Sequence, residues 1–261
     1  MPQSTGFPQC ATVRGYGALV APSTEMSRVA IYLAHLDSVC SVRHLTRMCN
    51  RFRSIKEWSD IPRRFHSGPR LNFEFNPNVA PTELVPILVA GQGVVLARFG
   101  INRLGSGDKP RPPLLNVRTD GMRKGQFRKH LKERRCVILC EGFYEWRDEG
   151  GKQPYYFSRK DGEPLLLAGI WEIAEYKGDS RVAFAILTDE PNELVASYHN
   201  RMPLSLADDK VDLWLDLANE SPLGGDLLLD LKEFTVRPMD RAMNNVRQKN
   251  LAAIDPKAAA A

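Results

Sequence analysis

Hydrophobic positions are spread unevenly along the chain, and their pattern changes near residue 48. Before that point, Met1–Thr24 is rich in Gly, Pro, Ser and Thr with no sustained period. Such a segment buries too little apolar surface to offset the entropy of ordering, so it is expected to be disordered. Met26–Leu45 fits one short helix, with Val29, Leu33 and Leu36 near one face. From Met48 onward the apolar residues come in short, dense runs. Leu84–Leu88 and Gly93–Phe99 read as strands joined by a glycine-containing turn, and the Pro and Gly breakers of Gly100–Pro113 predict a loop. Met122–Arg134 predicts a basic helix with Met122, Phe127 and Leu131 along one side. Cys136–Cys140 is a short apolar strand that leads into Glu141-Gly142 and then Phe143-Tyr144-Glu145-Trp146.

Three more strands are predicted at Gln153–Ser158, Pro164–Trp171 and Arg181–Thr188, with turns at Asp161-Gly162 and Gly178-Asp179. A helix over Asn192–Tyr198 leaves His199 at its end. Asp208–Leu217 predicts an amphipathic helix that buries Val211 and Trp214-Leu215, and Asn250–Ala261 is expected to be loose. Strands that occur in runs, instead of alternating regularly with helices, predict an α+β fold and not a doubly wound one.

Composition narrows the class. A chain of 261 residues, 43% hydrophobic and 26% charged, can bury a sizeable core in one domain. No run approaches the roughly 18 apolar residues of a membrane helix. Val29–Ala34 lacks a signal-peptide layout, so a soluble intracellular protein is expected. The net charge of +5 is unevenly placed: residues 118–135 hold eight Lys/Arg, while residues 205–235 hold eight Asp/Glu. A basic region of this kind can face a polyanion, although by itself the pattern also describes a solvated helix face. Five cysteines with no CxxC and no zinc-like Cys/His spacing predict neither a metal site nor a disulfide framework. Cys136 and Cys140 share one strand face and read as small buried hydrophobes. Cysteine chemistry is then left to a single free thiol.

An ordered set of motifs supplies the chemistry. Met48-Cys49-Asn50-Arg51-Phe52, Asn78-Val79-Ala80-Pro81-Thr82, Asn116-Val117-Arg118, Glu141-Gly142-Phe143-Tyr144-Glu145-Trp146 and His199-Asn200-Arg201-Met202-Pro203 occur in that order. Supporting segments include Lys152–Tyr156, Ala168–Glu172, Leu187-Thr188 and Asn244-Asn245-Val246-Arg247. From Met48 to about Pro256 the chain resembles the SRAP (SOS response-associated peptidase, abasic-site processing) family. The resemblance implies a fold of mixed, largely antiparallel, curved barrel-like sheets with flanking helices. It also implies single-stranded DNA containing abasic sites as the partner, no cofactor, no metal, no membrane, a monomer and a cytoplasmic, nucleoid-associated location.

The chemistry of residue 49 follows from its atoms. A base-less deoxyribose equilibrates with an open-chain aldehyde, and a primary amine condenses with an aldehyde to an imine. A cysteine at a chain terminus carries amine and thiol two carbons apart, so the thiol can close a five-membered thiazolidine. An internal cysteine has only an amide nitrogen. A terminal amine titrates near ~8, which leaves a useful neutral fraction at pH 7. The resemblance implies that Cys49, Asn116, Glu145 and His199 are catalytic, with Asn116 orienting the amine and Glu145 and His199 moving protons. It assigns Arg51, Arg118 and Arg201 to phosphates and Trp146 and Phe99 to base stacking. Asn78, Pro81 and Thr188 are expected to shape the lesion pocket.

The chain departs from the family pattern in four places. Forty-seven residues precede Met48, so residues 1–47 are read as a disordered extension or a mis-assigned start, 48–256 as the SRAP domain and 257–261 as a loose tail. A mature form of Cys49–Ala261 is expected. Asn50 stands in place of Gly, Phe99 where Trp is common, and Asp120 where Glu is frequent. Two other functions compete: a thiol peptidase built on Cys49, His199 and Asn116, acting chiefly on itself, and a non-covalent single-strand binding module.

Overall fold

Among the described residues, eleven strands join in one sheet, and five of them close into a barrel. The structure is a computed structural model that describes residues 50–66, 69–102, 112–122, 125–176, 179–220, 222–223 and 227–259. The readings for Met1–Thr24, Met26–Leu45 and Cys49 lie outside the described residues, as do Arg123, Lys124 and Gly178.

The barrel runs β2 (Leu84–Val89), β3 (Gly93–Phe99), β8 (Asp179–Asp189), β7 (Leu165–Tyr176) and β5 (Arg135–Asp148), and β5 closes back onto β2. Within the ring only β3–β8 is parallel. β4 (Asn116–Arg118) adds in parallel to the end of β8, and β9 (Met202–Pro203) pairs antiparallel beside it. Beyond the ring, β6 (Lys152–Arg159) and β11 (Phe234–Pro238) extend β5, β10 (Ser205–Leu206) pairs with β7, and β1 (Phe52–Ser54) pairs with β5. The expected α+β, mainly antiparallel curved architecture is the one observed.

Side-chain alternation explains the closure. Val85, Ile87, Phe99, Cys136, Ile138, Leu167, Phe184 and Ile186 fill the interior. Val137, Leu139, Ala168, Ala183, Ala185 and Leu187 face outward, beneath Met122, Leu131, Val211 and Trp214 of the flanking helices. With both faces covered, these strands read as continuous apolar runs. Gly169 is required on the inner face: a Cβ there would stand 2.5 Å from Ile138 Cδ1 and 2.9 Å from the Ala185 carbonyl oxygen.

A bulge in β5 sets up the site. Phe52 pairs with Phe143 and Arg53 with Gly142, but Ser54 pairs with Cys140. One extra residue therefore sits on β5 and inverts its alternation. Cys136, Ile138 and Cys140 line the interior before the bulge, and odd-numbered Phe143 does so after it, with Tyr155 and Phe157 of β6. Even-numbered Tyr144 and Trp146 turn instead toward Met239, Met243 and Ile254.

Several elements differ from the sequence reading. In place of one helix over Met122–Arg134, a short helix Thr119–Met122 ends where it was expected to begin, and a second, Arg128–Glu133, covers its latter half. A Cβ on Gly125 would lie 2.5 Å from the Gly121 oxygen, too close for any residue but glycine. The predicted helix over Asn192–Tyr198 is the single turn Glu193–Ala196, with Asn192 capping Val195 N at 2.9 Å. Asp208–Leu217 shortens to a 3-10 turn followed by Val211–Leu215, and Val211 and Trp214 are fully buried as expected.

The stretch from Asn250, expected to be loose, is docked through Asp255. Helices Leu251–Ile254 and Pro256–Ala259 form there, Ile254 is fully buried, and Asp255 is 1% exposed between Arg53 and Arg237. Remote cationic partners hold it in place, and local composition cannot reveal them.

Candidate functional site

The segment following Cys49 is fixed on both sides. Tyr144 N donates to the Arg51 carbonyl at 3.0 Å, and Val79 N donates to the Phe52 carbonyl at 2.8 Å. Asn50 is the chain neighbour of Cys49, and its Oδ1 accepts from Asn116 Nδ2 at 3.3 Å. Asn116 opens β4 opposite Ile186 of β8, an interior position, and Arg118 follows opposite Thr188.

Glu145 and His199 come to the same side of the β5–β6 ribbon. Glu145 is 2% exposed, because the bulge turns it inward instead of leaving it on an open strand edge. Its cross-strand neighbour is Tyr155, whose ring lies 4.6 Å from that of Tyr198, the residue before His199. Phe157 meets Tyr198 edge-on at 5.2 Å. His199 N donates to the Val195 carbonyl at 2.9 Å, which hooks the histidine to the capped turn. The His199 ring is buried, and its Nδ1 accepts from Arg201 N at 3.2 Å. That bond fixes the neutral ring as the Nε2–H tautomer, so the free side of the imidazole is a donor.

Buried polar atoms are normally partnered. Asn78 Oδ1, Thr188 Oγ1, His199 Nε2 and Arg201 Nε are buried with no hydrogen-bond partner among the described residues. All four belong to residues that the sequence singled out. Arg201 is buried with its Nη2 on the Thr188 carbonyl at 2.5 Å, and burial, followed by nearby Arg118, lowers its pKa. Arg118 is exposed and clasped by Asp120 through Nε–Oδ1 at 3.1 Å and Nη2–Oδ2 at 2.5 Å. This pairing raises the guanidinium pKa and lowers that of the carboxyl.

Other expected site residues are placed differently. Phe99 is fully buried, stacked on Phe184 at 5.2 Å and edge-on to Phe52 at 5.3 Å, so it is a core residue with no face for a base. Arg51 is turned inward: its guanidinium lies 5.1 Å from the Trp146 ring and donates to the Met243 carbonyl, and burial lowers its pKa. Trp146 keeps partial exposure, but its Nε1–H is committed to Asn244 Oδ1 at 2.7 Å. Asn78 Nδ2 donates to the carbonyls of Gln248 at 3.0 Å and Asn245 at 3.3 Å. Pro81 precedes Thr82, whose φ of 77° closes a turn where glycine is usual.

The strap from Met243 to Lys249 is thus part of the site's frame. Its only sequence signal was the Asn244–Arg247 match, which carried no assigned role. Tyr198, which couples His199 to β6, had no signal at all. In the basic run, Arg128, Lys129 and Lys132 are exposed, whereas Arg135 is fully buried.

The family model for SOS response associated peptidase (SRAP) matches residues 48–246. The chain belongs to this family. Among SRAP relatives, the abasic site processing protein YoqW of Bacillus subtilis is 32% identical over 186 residues, covering 67% of this chain and 83% of the relative. The abasic site processing protein YedK of Escherichia coli is 28% identical over 152 residues, covering 56% and 68% respectively. A crystal structure of a Bacteroides thetaiotaomicron protein shares the fold with a TM-score of 0.63 at 22% identity, covering 78% of this chain and 100% of that one. One from Bordetella bronchiseptica has a TM-score of 0.60 at 20% identity, with coverages of 73% and 99%.

Proposed function

We propose that this protein processes abasic sites in single-stranded DNA, within the DNA damage response, by covalent capture through Cys49. The Cys49 α-amine attacks the aldehyde carbon of the opened sugar, and loss of one water gives an imine. The thiol sulfur then adds to the imine carbon while its proton passes to nitrogen, closing a thiazolidine. Residue 49 must therefore be the chain terminus, either by translation from Met48 with methionine removal or by cleavage between Met48 and Cys49.

One observation carries the reading: the side chain adjoining Cys49 contacts Asn116, 66 residues away, at the barrel end. Asn116 orients the amine, and the buried Glu145 accepts its proton. His199, as the Nε2–H tautomer, donates to the sugar ring oxygen as the ring opens. Arg118 and Arg201 hold flanking phosphates. The same tautomer leaves His199 no lone pair for a thiol, so a Cys-His peptidase is the weaker alternative.

The test uses protein beginning at Cys49, single-stranded DNA with one abasic site, and a denaturing gel. A shifted band that Cys49→Ala abolishes is expected. Cys49→Ser should give an imine that borohydride traps but no stable ring. Salt-sensitive binding with no adduct at any time would mean a plain single-strand binding module.

A further inference from the structure

The basic helix Arg128–Glu133 has no part in the site above, yet it borders a cavity of about 280 Å³. Arg128, Lys132 and Arg135 line this cavity together with Leu131, Pro222 and Glu220. Arg128 and Lys132 are exposed and one helical turn apart, so both heads reach the opening. Arg135 is fully buried. Its guanidinium donates to the carbonyls of Leu131 at 2.9 Å, Asn219 at 3.2 Å and Asp216, and it lies 5.6 Å from the Trp214 ring. These carbonyls orient the fork without cancelling its charge, and Nε has no hydrogen-bond partner among the described residues.

Three carboxylates lie nearby among the described residues. Glu220 is on the rim, Asp216 Oδ1 accepts from Ala218 N at 2.9 Å, and Glu133 pairs with Lys129 at 3.9 Å. Of these three, Glu220 lines the cavity, and among the described residues it faces three cations there.

Strand register gives the distance to the lesion site. Asn116 pairs with Ile186, Ile186 with Gly169, and Gly169 with Cys136, in one row across β4, β8, β7 and β5. Three strand spacings put Arg135, the neighbour of Cys136, on the order of 14 Å from Asn116 along the sheet. Arg135 faces the outer side of the sheet with Leu131 and Trp214, so a strand with its abasic nucleotide near Asn116 reaches the cavity by passing from the inner to the outer face over several nucleotides.

We propose that this cavity is a second phosphate subsite, seating a backbone phosphodiester of the captured strand a few nucleotides from the lesion. The inference rests on the function proposed above and adds to it where the strand runs. Arg128 and Lys132 supply the contact, and Arg135 supplies fixed positive charge beneath it.

The experiment measures binding of an undamaged single-stranded oligonucleotide to the full 261-residue chain across a salt series, for wild type and Arg128→Gln/Lys132→Gln. Both substitutions are at exposed positions, and Arg135 is left intact as a structural strut. The variant should bind severalfold more weakly, with its salt dependence flattened by about 0.7 for the phosphate lost. Inorganic phosphate, against chloride at matched ionic strength, should raise the melting temperature of wild type but not of the variant. Unchanged affinity and slope would overturn the proposal. So would a phosphate response with no change in DNA slope, which would mark a site for free anions. Undamaged DNA offers no aldehyde, so failure of covalent capture on the adduct gel is read separately from failure here.

Discussion

Replacing Asp255 with alanine tests how the C-terminal strap is held against the site. Asp255 is 1% exposed and accepts from Arg53 Nη2 at 2.7 Å and from the Arg237 guanidinium. Burial alone would raise its pKa, but hydrogen bonds from Arg237 and Arg53 outweigh this and hold the carboxyl below its usual value. Arg53 also lies 4.3 Å from the Tyr156 ring and donates to Tyr144 Oη at 3.1 Å. Burial pushes that hydroxyl up to about 12, so it stays a protonated donor to the Pro77 carbonyl at 2.7 Å.

Losing one partner of a buried ion pair costs about 3–5 kcal/mol, because the other charge is left uncompensated. Arg237 is partly exposed and can turn to water, and Glu141 stays 3.8 Å from Arg53. The lower end of that range, ~3 kcal/mol, is therefore expected. For a domain of this size it corresponds to a fall in Tm of about 6–12 °C. The folded pKa lies below the unfolded value of ~3.9, so the stabilisation is complete above that pH and fades as pH drops through the folded pKa. Wild type and Asp255→Ala should therefore converge in stability under acid. Thermal unfolding followed by circular dichroism from pH 7 to 3 measures this. A Tm within about 2 °C of wild type at pH 7, or a gap that does not narrow in acid, would refute the reasoning.

Three further outcomes are expected. Gly169→Ala pushes a methyl against Ile138 and the Ala185 carbonyl inside the barrel and should destabilise by about 1–3 kcal/mol in a denaturant melt; a neutral result would mean the barrel relaxes freely. Asp120→Asn frees the Arg118 fork for a phosphate, so affinity for single-stranded DNA should rise and its salt dependence steepen by about 0.7; weaker binding would show that Asp120 instead preorganises the arginine. In a protein beginning at Cys49, which holds three cysteines, a thiol reagent near pH 8 should titrate one residue when native and all three in denaturant. Cys136 and Cys140 are fully buried, and burial raises both thiols.

The barrel strands were legible because strands buried on both faces leave uninterrupted apolar runs, as at Leu84–Leu88 and Cys136–Cys140. Asn116, Glu145, His199 and Arg201 were legible as motif residues; Arg201 reaches Thr188, opposite Arg118 on the strand that Asn116 opens, and Glu145 lies across from Tyr155, which packs on the neighbour of His199. Sidedness was not legible: the β5 bulge that turns Glu145 inward and sends Trp146 to the opposite face depends on pairing with β1, which no local pattern encodes. The same limit misplaced Phe99, whose aromatic type fits a stacking platform but whose alternation puts it in the core. Arg51 and Asn78 have residue types that fit DNA contacts, but the strap from Met243 to Lys249 occupies them, and Asp255 gave no signal because its partners are remote in sequence.

The mass of the DNA adduct tests the central claim most directly. Protein beginning at Cys49, reacted with an abasic oligonucleotide without any reductant, should yield a heat-stable species equal to protein plus DNA minus one water. The linkage should map to residue 49. The same adduct formed by a chain that retains Met48 ahead of Cys49, or a linkage mapping to a lysine, would contradict the account.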